Sequence, residues 1–297
     1  MKKWILFLLL FMVSACLMAM AESRDITLQF SADLPLTGSP VSVKNKTDSP
    51  PICGIGFLWT PRSEDAAGFL NHEKDFVDLI LGGDKLDVFQ KVKLPVKVIC
   101  LSLALERNKE RPFPGIKETI EMLKKAGVNP ERVIIGYNPE RSPGTPGVEL
   151  DNFIDSVRQA KKMSQSFGSP LLVGPGLREM QGKEDLYPEL AKNCDIWLIQ
   201  SQRLQLDLVT RKPVKPEEYR EKVRRIVDIL RAGNPNIKVF VQLVTTAERG
   251  TVKLTAEQLT GFIRSIEDIV DAVRIYGAQS DLLKEIITGL RTAGNKK

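Results

Sequence analysis

The stretch VIIGYNPER, residues 133 to 141, is an apolar run halted by Asn138, Pro139 and Glu140, and a second run, KVFVQLVT at 238 to 245, leads to Glu248. Two carboxylates, each just beyond an apolar run, suit one chemistry. Hydrolysis of a glycosidic bond needs a protonated Asp or Glu to assist the leaving oxygen and an ionised one to act as nucleophile or as base toward water. Other chemistries lack their residues. His72 is the only histidine and falls after a helical segment, so neither a Ser-His-Asp triad nor a histidine-rich metal site is available. A Schiff-base lysine belongs near the active end of a barrel, whereas Lys97 and Lys238 open their apolar runs. Gly174-Pro175-Gly176 has Glu179 where a dinucleotide fingerprint carries its third glycine, and Gly250 and Gly277 are isolated glycines. No cofactor and no metal are expected.

Ligand-binding groups are expected around these two glutamates. DIWLIQSQRLQ, residues 195 to 205, crowds Gln200, Gln202 and Arg203 at the end of one run, amides and a guanidinium suited to a polyhydroxylated ligand. Asn138 adds another amide, and Trp59, Tyr137 and Tyr276 offer flat faces for sugar rings. Glu140 and Glu248 are thus the candidate catalytic pair, with Trp59, Asn138, Gln200, Gln202, Arg203 and Tyr276 contacting substrate. Glu106, beside Arg107, is the reserve carboxylate. Trp197, with apolar neighbours on both sides, reads as core.

Alternation along the strands adds direction. Gln242 in mid-run would strand its amide against an apolar helix layer, so it is expected to face inward, and Glu248 shares its parity if the strand persists. Gln200 and Gln202 follow the same rule. Asp78 and Arg274 are expected to share an interior layer as a structural ion pair.

These residues need a scaffold, and the chain supplies a repeating one. From Ile52 onward an apolar run, a polar loop, a helix-period segment and a Gly, Asn or Pro exit recur, which means parallel strands joined by crossover helices. Runs at 52–59, 76–81, 96–105, 132–138, 170–175, 195–200, 238–245 and 272–277 give eight strands, and so a (β/α)8 TIM barrel. A doubly wound open sheet is the alternative, though it usually carries a Gly-rich first turn. Tyr219, Val223, Ile226 and Leu230 mark one helix face, and Thr255 with Gln258 forms a capping box. The second unit is weakest, with a short, irregular helix candidate over 85–94.

The beginning of the chain speaks of compartment. Lys2 and Lys3, an apolar stretch from Trp4, and Ala19 and Ala21 around Met20 form a signal peptide over 1–21, too short for a membrane span, so the protein is expected to be exported: periplasmic, cell-surface or secreted. Val13-Ser14-Ala15-Cys16 is a competing lipoprotein signal, with a lipid anchor at Cys16. Residues 22–51 read as a polar tether and 52–297 as one barrel domain. Taking Lys2 and Lys3 from the 43 basic residues leaves 41 against 37 acidic ones, near balance and without a block of like charge, so no nucleic-acid partner is expected. Cys53, Cys100 and Cys194 each begin or lie in an apolar run and read as free thiols in the core.

In IIGYNPE, DIWLIQSQRLQ and NPNIKVFVQL the chain resembles secreted bacterial (β/α)8-barrel proteins of glycoside-hydrolase-like character, without the stamp of a specific enzyme family. Many barrel glycosidases place an acid after strand four and a nucleophile after strand seven, the positions of Glu140 and Glu248. Those families commonly read Asn-Glu after strand four, whereas Pro139 intervenes here. The resemblance implies a carbohydrate-active hydrolase acting on a polysaccharide or oligosaccharide. The alternative is a non-catalytic extracellular barrel that binds a glycan or another ligand through Gln200, Gln202 and Arg203.

Overall fold

The computed structural model describes residues 53–81, 85–107, 113–141, 144–247 and 251–292. The leader, the tether and Glu248 lie outside the described residues.

Eight parallel strands close into a barrel: β1 (Gly54–Leu58), β2 (Phe76–Ile80), β3 (Lys97–Ser102), β4 (Val133–Tyr137), β5 (Leu171–Val173), β6 (Ile196–Gln200), β7 (Lys238–Val244) and β8 (Ala272–Tyr276). Each strand pairs with its neighbours in chain order, and β8 returns to β1. Each of the eight apolar runs contains one of these strands, and closure excludes the open sheet. Around them lie α1 (Val88–Lys91), α2 (Ile116–Lys125), α3 (Gly147–Asp151), α4 (Phe153–Phe167), α5 (Leu177–Met180), α6 (Tyr187–Lys192), α7 (Pro216–Gly233), α8 (Ala256–Ile266) and α9 (Ser280–Thr292). The first crossover is a 3-10 helix, Glu64–Phe69, and the second is a 3-10 turn running into four-residue α1, the irregular unit anticipated from sequence. Among the described residues no helix is long and apolar enough to cross a membrane.

Strand alternation builds two cores. Outward residues such as Val77, Cys100, Ile135, Trp197 and Val241 pack beneath the helices, each fully buried aliphatic side chain contributing about 1.5–3 kcal/mol. On α7 the buried stripe is Tyr219, Val223, Val227 and Leu230, and Ile226 is only half-buried. A helix turning every 3.6 residues carries the stripe from Val223 to Val227, a step of four where the sequence reading took a step of three. Thr255 and Gln258 form the capping box of α8, each side-chain oxygen accepting from the other's backbone N–H.

Three aspartates pin the opposite, N-terminal end of the barrel. Asp75, Asp195 and Asp271 stand just before β2, β6 and β8 and accept from the backbone N–H groups of Ile55, Leu171 and Val239 at 2.9, 2.8 and 2.9 Å. Each thereby holds the preceding strand in register, and Arg291 pairs with the fully buried Asp75 at 2.6 Å. These carboxylates serve the frame, at the end of the barrel opposite the C-terminal strand ends.

The barrel interior is filled from the bottom. Phe76 and Phe240 stack at 5.1 Å, surrounded by Ile99, Ile134, Leu172 and Ile196. β1 contributes Gly56, and a Cβ there would lie 2.3 Å from the Phe76 ring, so the glycine makes room for that ring. Above this layer Arg274 lies beside Gln242 in register, and Gln242 beside Gln200. Arg274 engages both carboxylate oxygens of Asp78 and donates to Gln242 Oε1 at 2.6 Å. Burial pushes the Asp78 carboxyl up from its ordinary value, opposed by the guanidinium across it. The space bounded by Phe76, Asp78, Ile99, Leu101, Leu172, Leu198 and Arg274 has no room for a water molecule.

Candidate functional site

The C-terminal mouth of the barrel is built first by β4 and β6. Asn138 follows β4 with the inward parity of Gly136, and Gln200 ends β6 with the inward parity of Leu198. Gln200 Nε2 donates to Asn138 Oδ1 at 2.9 Å and to the Gly174 carbonyl at 2.8 Å, and approaches Glu140 Oε1 at 3.4 Å. Asn138 Nδ2 donates to the same Glu140 Oε1 at 2.9 Å. Gln202 Nε2 donates to Gln200 Oε1 at 3.1 Å. Asn138, Glu140, Gln200 and Gln202 thus form one hydrogen-bonded chain across the strand ends, although up to 64 residues separate them in sequence. β5 passes between β4 and β6 and adds only Gly174 here; a Cβ at that position would sit 3.0 Å from Leu198 and 3.3 Å from Asn138 Oδ1.

Glu140 is half-buried, and its Oε2 has no hydrogen-bond partner among the described residues. Its backbone is fixed as well. Glu140 N–H donates to Thr145 Oγ1 at 2.8 Å, and the Thr145 hydroxyl donates to the Leu103 carbonyl at 2.5 Å, tying the loop after β4 to the loop after β3. Behind it, Glu149 accepts from the Leu105 backbone N–H and from Tyr137 Oη at 2.8 Å. Burial raises the Glu149 carboxyl above its ordinary range, and burial beside that carboxylate raises the Tyr137 hydroxyl.

The remaining expected residues are distributed unevenly. Tyr276 is at the mouth, 42 % exposed, with its ring 5.5 Å from the Arg274 guanidinium. Arg203 is exposed beside Gln202. Trp59 is half-buried and packs against the helix-side core, continuing the outward parity of Phe57. Tyr137 is fully buried on that same side and serves Glu149. Glu106 is exposed and paired with Lys117 at 3.1 Å on the outer side. Glu248 is outside the described residues.

Glu179, on α5 after β5, is a strand-end carboxylate that the sequence places near the mouth without giving it a role. Its Oε1 accepts from the Arg141 backbone N–H at 3.2 Å, which places this half-buried carboxylate beside the residue that follows Glu140. Barrel order was the signal available, since the loops after β4 and β5 must adjoin.

No protein-family model matches the chain, and no curated protein matches it in sequence. Solved structures that share its fold include a chitinase and a cortex-lytic enzyme. A GH18 chitinase from Pseudoalteromonas aurantia superposes with a TM-score of 0.55 at 11% identity, over 82% of this chain and 100% of the chitinase. The spore cortex-lytic enzyme SleL from Bacillus megaterium QM B1551 gives a TM-score of 0.53 at 10% identity, over 89% of this chain and 79% of that one. At such identities, what this chain shares with them is the (β/α)8 fold.

Proposed function

We propose that this is an exported carbohydrate-active hydrolase that cleaves a glycosidic bond at the C-terminal mouth of the barrel, with Glu140 as the proton-transferring group. The observation that carries the reading is the placement of Glu140: one carboxylate oxygen is oriented by the Asn138 and Gln200 amides, and the other makes no hydrogen bond among the described residues. In the reaction Glu140 delivers its proton to the glycosidic oxygen as the bond from the anomeric carbon breaks, and water supplies hydroxide to that carbon and a proton back to the enzyme. Glu248 is proposed as the second carboxylate. The amides of Asn138, Gln200 and Gln202 bind sugar hydroxyls, and Tyr276 offers a ring face. Two of the solved structures that share the fold are named as a GH18 chitinase and a spore cortex-lytic enzyme, which supports the class. Export rests on the leader over 1–21 and its Ala19-Met20-Ala21 exit.

A glycan-binding barrel without turnover is the second reading. It is favoured by the amide content of the site, because three of the four joined groups are carboxamides, which hold hydroxyls and do not transfer protons. Glu140→Gln separates the two. In a hydrolase this variant loses turnover about a hundredfold or more and keeps its ligand; in a binding protein the unmodified chain shows no turnover on any glycan it binds, and Gln202→Ala weakens that binding.

A further inference from the structure

Three exposed arginines stand next in sequence to residues of the mouth: Arg141 follows Glu140, Arg178 precedes Glu179, and Arg203 follows Gln202. They occupy the loops after β4, β5 and β6, three consecutive staves of the barrel. These loops are joined to one another by the Arg141 N–H bond to Glu179 and by the Gln200 bonds to Asn138 and Gly174. Among the described residues none of the three guanidinium groups has an acidic partner, whereas Arg158, Arg220, Arg274 and Arg291 elsewhere each sit on a carboxylate. Unpaired guanidinium groups on one arc of a binding mouth attract anions, and their planar forks match carboxylates.

We propose that the ligand is an anionic polysaccharide whose sugar carboxylates are read by Arg141, Arg178 and Arg203 while the amides of Asn138, Gln200 and Gln202 hold its hydroxyls. This rests on the carbohydrate reading above and adds the charge of the substrate. Amides between the arginines fit a polyhydroxylated chain better than a nucleic acid, because Tyr276 is the exposed aromatic at the described mouth and a base-stacking platform needs several.

The test is equilibrium binding of the purified protein to polygalacturonate, to its fully methyl-esterified form, to dextran sulfate and to a single-stranded RNA homopolymer. Polygalacturonate is expected to bind about tenfold or more tightly than its ester, and an Arg141→Gln/Arg178→Gln/Arg203→Gln variant to lose about that factor for the acid form alone. Lys124→Gln/Lys125→Gln, on the exposed end of α2, is expected to bind like the unmodified protein. Added salt at about 0.5 M should erase the preference. Equal affinity for acid and ester, or full affinity in the triple variant, overturns the proposal. So does tighter binding of dextran sulfate or RNA, which would assign the arc to sulfate esters or to nucleic acid. Preference for the ester sinks the charge assignment and leaves the carbohydrate reading standing; binding to none of the polysaccharides sinks both.

Discussion

Gln200 Nε2 lies 2.9 Å from Asn138 Oδ1 and 2.8 Å from the Gly174 carbonyl, so a single amide at the end of β6 fastens the ends of β4 and β5. The same nitrogen stands 3.4 Å from Glu140 Oε1. The frame and the candidate acid therefore share a donor.

Replacing Gln200 with leucine should act on both. Buried acceptors on Asn138 and Gly174 lose their partner, for an expected loss of about 1–3 kcal/mol in urea denaturation. Glycan affinity should fall in the same variant, because Asn138 and Glu140 are released together. Unchanged stability would mean that water takes over the amide's bonds without cost.

Arg274 and Asp78 give a sharper contrast. Arg274→Met leaves the Asp78 carboxyl buried and unpaired and should cost about 3–5 kcal/mol, whereas Asp78→Leu/Arg274→Met should recover most of that loss. Chemical melts of the three proteins decide it. A double variant as unstable as the single one would show that Gln242 and Tyr276 also need the guanidinium.

Glu149 carries a pH dependence whose sign follows from burial. Its folded-state pKa is raised, so between the unfolded and folded values the native protein binds more protons than the unfolded chain, and stability contributed by this group is complete at low pH and falls as pH rises through the folded value. Glu149→Gln should therefore gain stability relative to the unmodified protein as pH is raised from about 4 to about 8. Urea midpoints of both proteins across that range test this, and parallel curves would refute it.

The cysteines should be silent in the native state. Burial holds the thiols of Cys100 and Cys194 well above their ordinary value and pushes Cys53 up to about 12. A chain beginning at residue 22 is expected to release no colour with a thiol reagent until denaturant is added, and then to titrate three groups.

Much of this architecture could be read directly because alternation in a barrel has one reference direction. Gln242 and Gln200 are inward as polar residues in otherwise apolar strands must be, and Asp78 meets Arg274 in the interior layer. Aromatic residues carry no such mark. Trp59 and Tyr137 fit a sugar platform or a helix-side core equally well by composition, and parity with Phe57 and Ile135 puts them in the core. Convergence of distant loops was the least legible. Arg178 and Arg203 are legible as strand-end groups, but which loops adjoin, and that Arg141 belongs with them, follows from the ring order of β4, β5 and β6.

The filled lower barrel has a consequence for traffic. With Phe76 stacked on Phe240 and no room for water beneath Arg274, the mouth is a cul-de-sac: nothing threads through the barrel, and a ligand must arrive and depart by the same side. On the proposed hydrolase reading, a polymer would lie across the opening, and both halves of a severed chain would leave over the surface that admits the next one. Product competes directly with fresh substrate in such an arrangement, so progress curves should slow as fragments accumulate, long before the polymer is exhausted.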